Sequence, residues 1–289
     1  MTKFFTLISI ISFHLLCGQT LEEKIAIKSC ECLASKSKLT EENTRECIVT
    51  STTTVVFSDP DAKNREHFNT VDGIQNLFQK ITAILPKTCD SIKKSNSIEK
   101  EKQFYTASKN EKAQNAYTIA DDMIDLQKYD VAIESLLNAI KNDPKFVMAY
   151  DNLGLCYRQL KDYDKAIRYY KKSLEIYPEG TFALMNIGVA YGFKSDFKNA
   201  IIIYEKLKKY HPDNAEGYFG AGKNYFLIND YEKALDNIFT AHRIYTEEKS
   251  DYAKDTEQLI GIFYSKLKNE NKEEVFKKIA EKHNIKLNE

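Results

Sequence analysis

Three of the five prolines, Pro144, Pro178 and Pro212, lie 34 residues apart, and three further series keep step with them. Tyr129, Tyr163, Phe197 and Tyr231 form one; Ala132, Ala166, Ala200 and Ala234 another; Ala120, Gly154, Gly188 and Gly222 the third. A fixed period of this length marks one supersecondary unit repeated and stacked, each copy too small to bury its apolar face alone. Counted from Ala113, the units are 113–146, 147–180, 181–214 and 215–248.

The second unit shows how each copy is built. Tyr150, Leu153, Gly154 and Tyr157 recur at helical spacing and predict a first helix, and Ala166, Ile167, Tyr170 and Leu174 predict a second, with Lys161-Asp162-Tyr163 as the turn. Gly154 and Ala166 are small where the two helices must cross closely, Tyr157 and Tyr163 fill the space beside them, and Pro178 stops the second helix. These residues resemble the tetratricopeptide repeat (TPR) family, whose pattern of small, aromatic and proline positions also fits Leu184, Ile187, Gly188, Tyr191, Ala200, Tyr204 and Pro212. A further copy runs through Tyr218, Ala221, Gly222, Tyr225, Ala234, Ile238 and Ala241. The departures are Ala120 for glycine, Ser173 and Leu207 where the second helix usually carries alanine, and Thr246 in place of the next proline.

The resemblance covers 113 to about 246 and implies an all-α solenoid of helical hairpins whose first helices line a concave, partner-binding surface. The inward positions it assigns are Met148, Asp151, Asn152, Leu155 and Arg158, then Phe182, Met185, Asn186, Val189 and Phe193, then Phe219, Lys223, Phe226 and Leu227. So many apolar side chains exposed together call for an occupant; the alternative is that superhelical twist or the C-terminal helices bury several of them. Asn152 and Asn186 can offer an amide to the main chain of a bound peptide. The inner offsets hold Asp151, Leu155, Met185 and Val189 where relatives that clamp a terminal carboxylate carry lysine, arginine and asparagine, so that specificity is not expected.

Beyond the array, 249–289 holds two more helical patterns, one through Leu259, Ile262, Phe263 and Leu267 and one through Val275, Phe276 and Ile279. They read as a divergent fifth hairpin whose Lys- and Glu-rich outer face caps the last apolar surface.

At the other end, Lys3 precedes an apolar run from Phe4 to Leu16 and then Cys17-Gly18-Gln19, the layout of a secretory signal peptide over 1–18 cut after Gly18. The thirteen residues of that run at ~1.5 Å each reach about 20 Å, short of the roughly 30 Å a membrane span needs. A lipid on Cys17 is disfavoured by Leu16, which stands where lipoproteins carry a small residue. The expected location is therefore periplasmic or secreted.

An exported chain with an even number of cysteines in one region reads as disulfide-bonded. Residues 19–95 hold Cys30, Cys32, Cys47 and Cys89 in a small helical domain, with helices expected over Leu21 to Ala34, after Thr40, and through Ile74, Leu77, Phe78, Ile81 and Leu85. If the first two form an antiparallel hairpin about Lys38, Cys30 falls opposite Cys47, leaving Cys32 for Cys89. The C-x-C spacing is unlike the knuckles that grip zinc, and only Lys28 stands near to activate a thiol. Residues 96–112 read as a polar connector, and Cys156 as a buried, inert thiol.

Other chemistry finds no support. The 42 basic and 42 acidic residues cancel, so no electrostatic footprint for nucleic acid exists. Gly217 to Asn224 imitates a phosphate-binding loop, but Asn224 stands where a hydroxyl should ligate magnesium and no strand precedes it. The histidines lack the i, i+4 spacing of a zinc helix, and neither a catalytic constellation nor a cofactor is expected. The chain reads as a non-enzymatic scaffold for a protein or peptide partner. The alternatives are a structural subunit acting through self-association and a redox or metal role for the N-terminal cysteines.

Overall fold

A computed structural model describes residues 20–36, 39–58 and 70–285, the side chains of Lys93 and Lys94 excepted. The expected signal peptide, Cys17, Lys38 and His67 lie outside these residues. The described residues are helical throughout and fall into two compact units that divide at Lys100. Among them, no helix is long and apolar enough to cross a membrane.

The first unit is built from α1 (Leu21–Ala34), α2 (Glu41–Ser58) and α3 (Val71–Thr88), and α4 (Asp90–Phe104) carries the chain into the second. Local chemistry fixes the helix starts. Thr20 and Glu23 form a reciprocal capping box, and the hydroxyls of Thr40 and Thr70 accept from the amides of Asn43 and Gly73. The core is small: Ile25, Ala26 and Leu33 of α1 meet Ile48 and Val56 of α2 and Ile81 and Leu85 of α3.

Two disulfides supplement it, and their pairing differs from the expected one. Cys32 joins Cys47 with Cα atoms 5.6 Å apart, and Cys30 joins Cys89 at 5.3 Å. Residues two apart on a helix point about 200° apart, so the thiols of a C-x-C pair must go to different neighbours. Their heights along α1 differ by only about 3 Å, so the choice depends on which flank of α1 receives α2 and which the end of α3. Closing loops with sequence separations of 15 and 59 residues is worth roughly 3 and 4 kcal/mol.

The second unit is a run of antiparallel hairpins. They pair α5 (Glu111–Asp125) with α6 (Tyr129–Asn142), α7 (Val147–Gln159) with α8 (Tyr163–Ile176), and α9 (Thr181–Phe193) with α10 (Phe197–Tyr210). Next come α11 (Ala215–Leu227) with α12 (Tyr231–Glu247), and then α13 (Tyr252–Asn269) with α14 (Glu273–Lys282). The stretch that imitates a phosphate loop lies in α11, so its glycines serve helix packing.

Close approach of the helices rests on a bulky side chain set against glycine. A Cβ on Gly154 would come within 2.7 Å of the Tyr170 ring, and one on Gly222 within 2.7 Å of Ile238. Tyr204 is gripped twice: added Cβ atoms on Gly188 of its own unit and on Gly220 of the next would lie 2.5 and 2.3 Å from its ring. Because Tyr204 is buried, the ring has nowhere to retreat.

The turns repeat as strictly as the core. Gln127, Lys161, Ser195 and Asn229, spaced 34 residues apart, all have φ between 57° and 62°, a left-handed conformation that only Asn among them favours. Next to them Asp162, Asp196 and Asp230 cap the second helices, accepting from the amides of Lys165, Asn199 and Lys233. In the fifth hairpin Thr256 keeps the small-residue register, fully buried and bonded to His242 Nδ1 at 2.8 Å. Its turn residue is Asn271 rather than position 263, because α12 has 17 residues where α6, α8 and α10 have 14, and α13 has 18 where α7, α9 and α11 have 13.

Two outcomes follow for stability in urea. Gly220→Ala should destabilise by about 1–3 kcal/mol despite alanine's better helix propensity, and by much less when Tyr204→Leu is present. Lys161→Gly should instead stabilise by about 0.5–1 kcal/mol by relieving the left-handed turn.

Candidate functional site

The first helices of three consecutive hairpins, α7, α9 and α11, line a cleft of about 440 Å³. Its floor is apolar, made of Met185 and Val189 on α9 and Phe219 on α11, with Asn186 beside them and Arg158 of α7 at one end. The rest of its lining is Glu216 of α11, Tyr245 near the end of α12, and Tyr252 and Asp255 of α13. Five residues expected to face inward, Arg158, Met185, Asn186, Val189 and Phe219, thus share one cavity. The inner-face positions assigned from the repeat do not include Glu216, Tyr245, Tyr252 and Asp255, the last two of which lie outside the four-unit register. Thr256 at the next small-residue position was the available signal that α13 continues the row.

The other assigned positions are engaged elsewhere or lie outside the cleft. Phe226 stacks on Phe263 of α13, centroids 3.7 Å apart and planes 1° apart, so it seats the fifth hairpin instead of awaiting a partner. Phe182 sets its edge on Tyr170, and Phe193, though 61% exposed, stacks on Tyr163 at 5.3 Å. Met148 packs against the core of the first hairpins, and Leu155 is half-buried. Lys223 sits 5.1 Å from the centroid of Phe219, and Leu227 is exposed. The amide of Asn152 donates to Tyr117 Oη at 3.1 Å, while that of Asn186 donates to its own helix at Phe182 O, 2.9 Å away. Cys156 is buried, and desolvation pushes its thiol up to about 12, which keeps it protonated and unreactive. Among the described residues no three His, Cys, Asp or Glu side chains converge as metal ligands would.

Asp151 departs most from its expected role. It is 2% exposed and covered by the segment that enters the array: Tyr105 Oη donates to its Oδ2 at 2.6 Å, and Phe104 stacks on Tyr177 at 4.6 Å. Ser108 donates to Asp143 and the amide of Asn110 to Asn142 O, so residues 104–110 are bonded along the first two hairpins. Desolvation raises the Asp151 carboxyl to about 6, against the lowering effect of the Ser173 and Tyr105 hydroxyls. A carboxyl whose folded pKa lies above its unfolded value binds more protons when folded. Its contribution to stability therefore falls as pH rises from about 4 to about 6 and is constant above. Asp151→Asn keeps an acceptor for Tyr105 and removes the buried charge. It should raise stability by about 1–3 kcal/mol at pH 7.5 and by little at pH 4, as read by thermal melts across that range.

Comparison with known proteins agrees with this architecture. A tetratricopeptide repeat model matches residues 117–181 and a second such model residues 182–214. No curated protein matches the sequence. Among solved structures, MamA 41-end from Desulfovibrio magneticus RS-1 superposes with a TM-score of 0.51 at 19% identity, over 60% of this chain and 96% of that one. Another crystal structure of MamA protein aligns with a TM-score of 0.50 at 22% identity, over 60% of this chain and 93% of that one. At such identities the likeness is one of fold. Repeat register, hairpin geometry and family match agree: residues 117–214 carry tetratricopeptide repeats, and they lie in an all-helical solenoid preceded by a disulfide-stapled helical unit.

Proposed function

We propose that this protein is a non-enzymatic scaffold, exported from the cell, that holds a segment of a partner protein on the inner face of its first helices. The observation that carries this reading is the cleft, where Met185, Val189 and Phe219 form an apolar floor bordered by charged and phenolic groups. Apolar anchors buried at the centre with polar groups at the rim are what gives a small recognition surface its affinity and its register. Two disulfides in the first unit and the charge pattern ahead of Phe4 support export. Of the positions assigned to the inner face, Arg158, Met185, Asn186, Val189 and Phe219 are the ones proposed to meet the partner.

A photo-crosslinking amino acid at Val189 tests this in the cells that make the protein. One defined partner should be captured, and Met185→Asp should abolish the capture while Met185→Leu keeps it, with helicity retained in both. Capture that ignores Met185→Asp, or none at all, would move the site off this face; capture of a second copy of the chain would establish self-association in its place.

A further inference from the structure

We infer that the α11–α13 corner of the cleft is a receptor for a cationic side chain, a lysine or arginine of the partner segment; this rests on the reading of the cleft as the partner site. The corner brings together aromatic rings and carboxylates. Tyr245 and Tyr252 lie 5.7 Å apart with planes tilted by 43°, and Phe219 meets Tyr245 edge to face at 6.4 Å. Glu216 accepts the Tyr245 hydroxyl at 2.5 Å, which uses one of its oxygens and holds both groups in the cleft wall. Asp255 stands on the first turn of α13, exposed, one helical turn from Tyr252.

Ring faces attract cations through their quadrupole, and carboxylates beside them add direct charge attraction, so this grouping suits an ammonium or guanidinium. A neutral apolar side chain would gain from the rings alone, and an acidic one would be repelled by both carboxylates. Among the described residues that line the cleft the one base, Arg158, is on α7, with α9 and α11 between it and Asp255 in the row of first helices. Phe219 already carries Lys223 5.1 Å from its centroid and Tyr245 is buried, so the ring open to an incoming cation is that of Tyr252. Met185 and Val189 would take an apolar residue next to the cation. The partner segment is thus basic and apolar in alternation, the reverse of an acidic tail.

The test uses the mature protein and short acetylated, amidated peptides of sequence Leu-X-Leu, with X as lysine, arginine, norleucine or glutamate. Binding is followed by NMR at Tyr252 and Phe219 in low salt. Lysine and arginine peptides should shift both rings, norleucine should do so about tenfold more weakly and glutamate not at all, and Asp255→Asn or Tyr252→Ala should weaken lysine-peptide binding about tenfold. Both positions are exposed, so melting temperature should hold. Equal binding of the norleucine peptide, no shift with any peptide, or unchanged affinity in both variants would overturn the cation site. The Val189 crosslink is scored independently: a captured partner with no basic residue at the contact removes the cation site and leaves the cleft reading standing, and its absence removes both.

Discussion

A tyrosine ring pressed on glycine sets the geometry from which the rest of the array follows. Tyr204 belongs to the second helix of its hairpin, yet it touches the first helix of its own unit at Gly188 and that of the next at Gly220. One rigid side chain therefore fixes two helix separations at once, and the distance between α9 and α11 in turn sets the width of the cleft floor. Tyr170 repeats the device one unit earlier, against Gly154 and with Phe182 at its edge. A flexible aliphatic chain in these places could relax by changing rotamer; a buried ring cannot, and the small residues opposite must stay small.

Features that recur were legible from sequence, and features that occur once were not. Proline, glycine, alanine and tyrosine in four concurrent series disclose the hairpin, its crossing point and its stop, because each copy solves the same packing problem with the same residue types. The left-handed turns leave no mark in the sequence, since Gln127, Lys161 and Ser195 are residue types with no preference for that conformation and are held there by the helices on either side. The disulfide pairing depends on which flank of α1 each neighbour takes, a rotational fact that spacing along the chain does not encode. Tyr105 and Asp151 meet across 46 residues from a segment whose composition reads only as a polar connector.

The cleft mixes both kinds of information. Met185, Val189 and Phe219 occupy register positions and could be assigned from the repeat alone. Tyr252 and Asp255 come from a helix that keeps the register at Thr256 and then runs past it. The recognition chemistry of the wall is thus supplied where the repeat begins to fail, where the sequence is no longer bound by the demands of packing between like units. Phe226 shows the opposite case, a register position on the inner face turned to structural use by the ring of Phe263.

The overlong α13 has a further consequence. Hairpins that stack by one repeated rule behave like layers of a crystal, and any layer with the right face can in principle receive another, including one from a different molecule. The delayed turn at Asn271 puts a misfit layer on the pile. Its second helix, α14, is tied back to α12 by Lys278–Glu232 and by Lys282 and His283 on Asp236, and its exposed positions are largely Lys and Glu. Such a layer follows a different rule from the units beneath it: Phe263, Leu267, Phe276 and Ile279 cover the apolar face of α12, and α14 exposes lysine and glutamate where those units expose their next packing face.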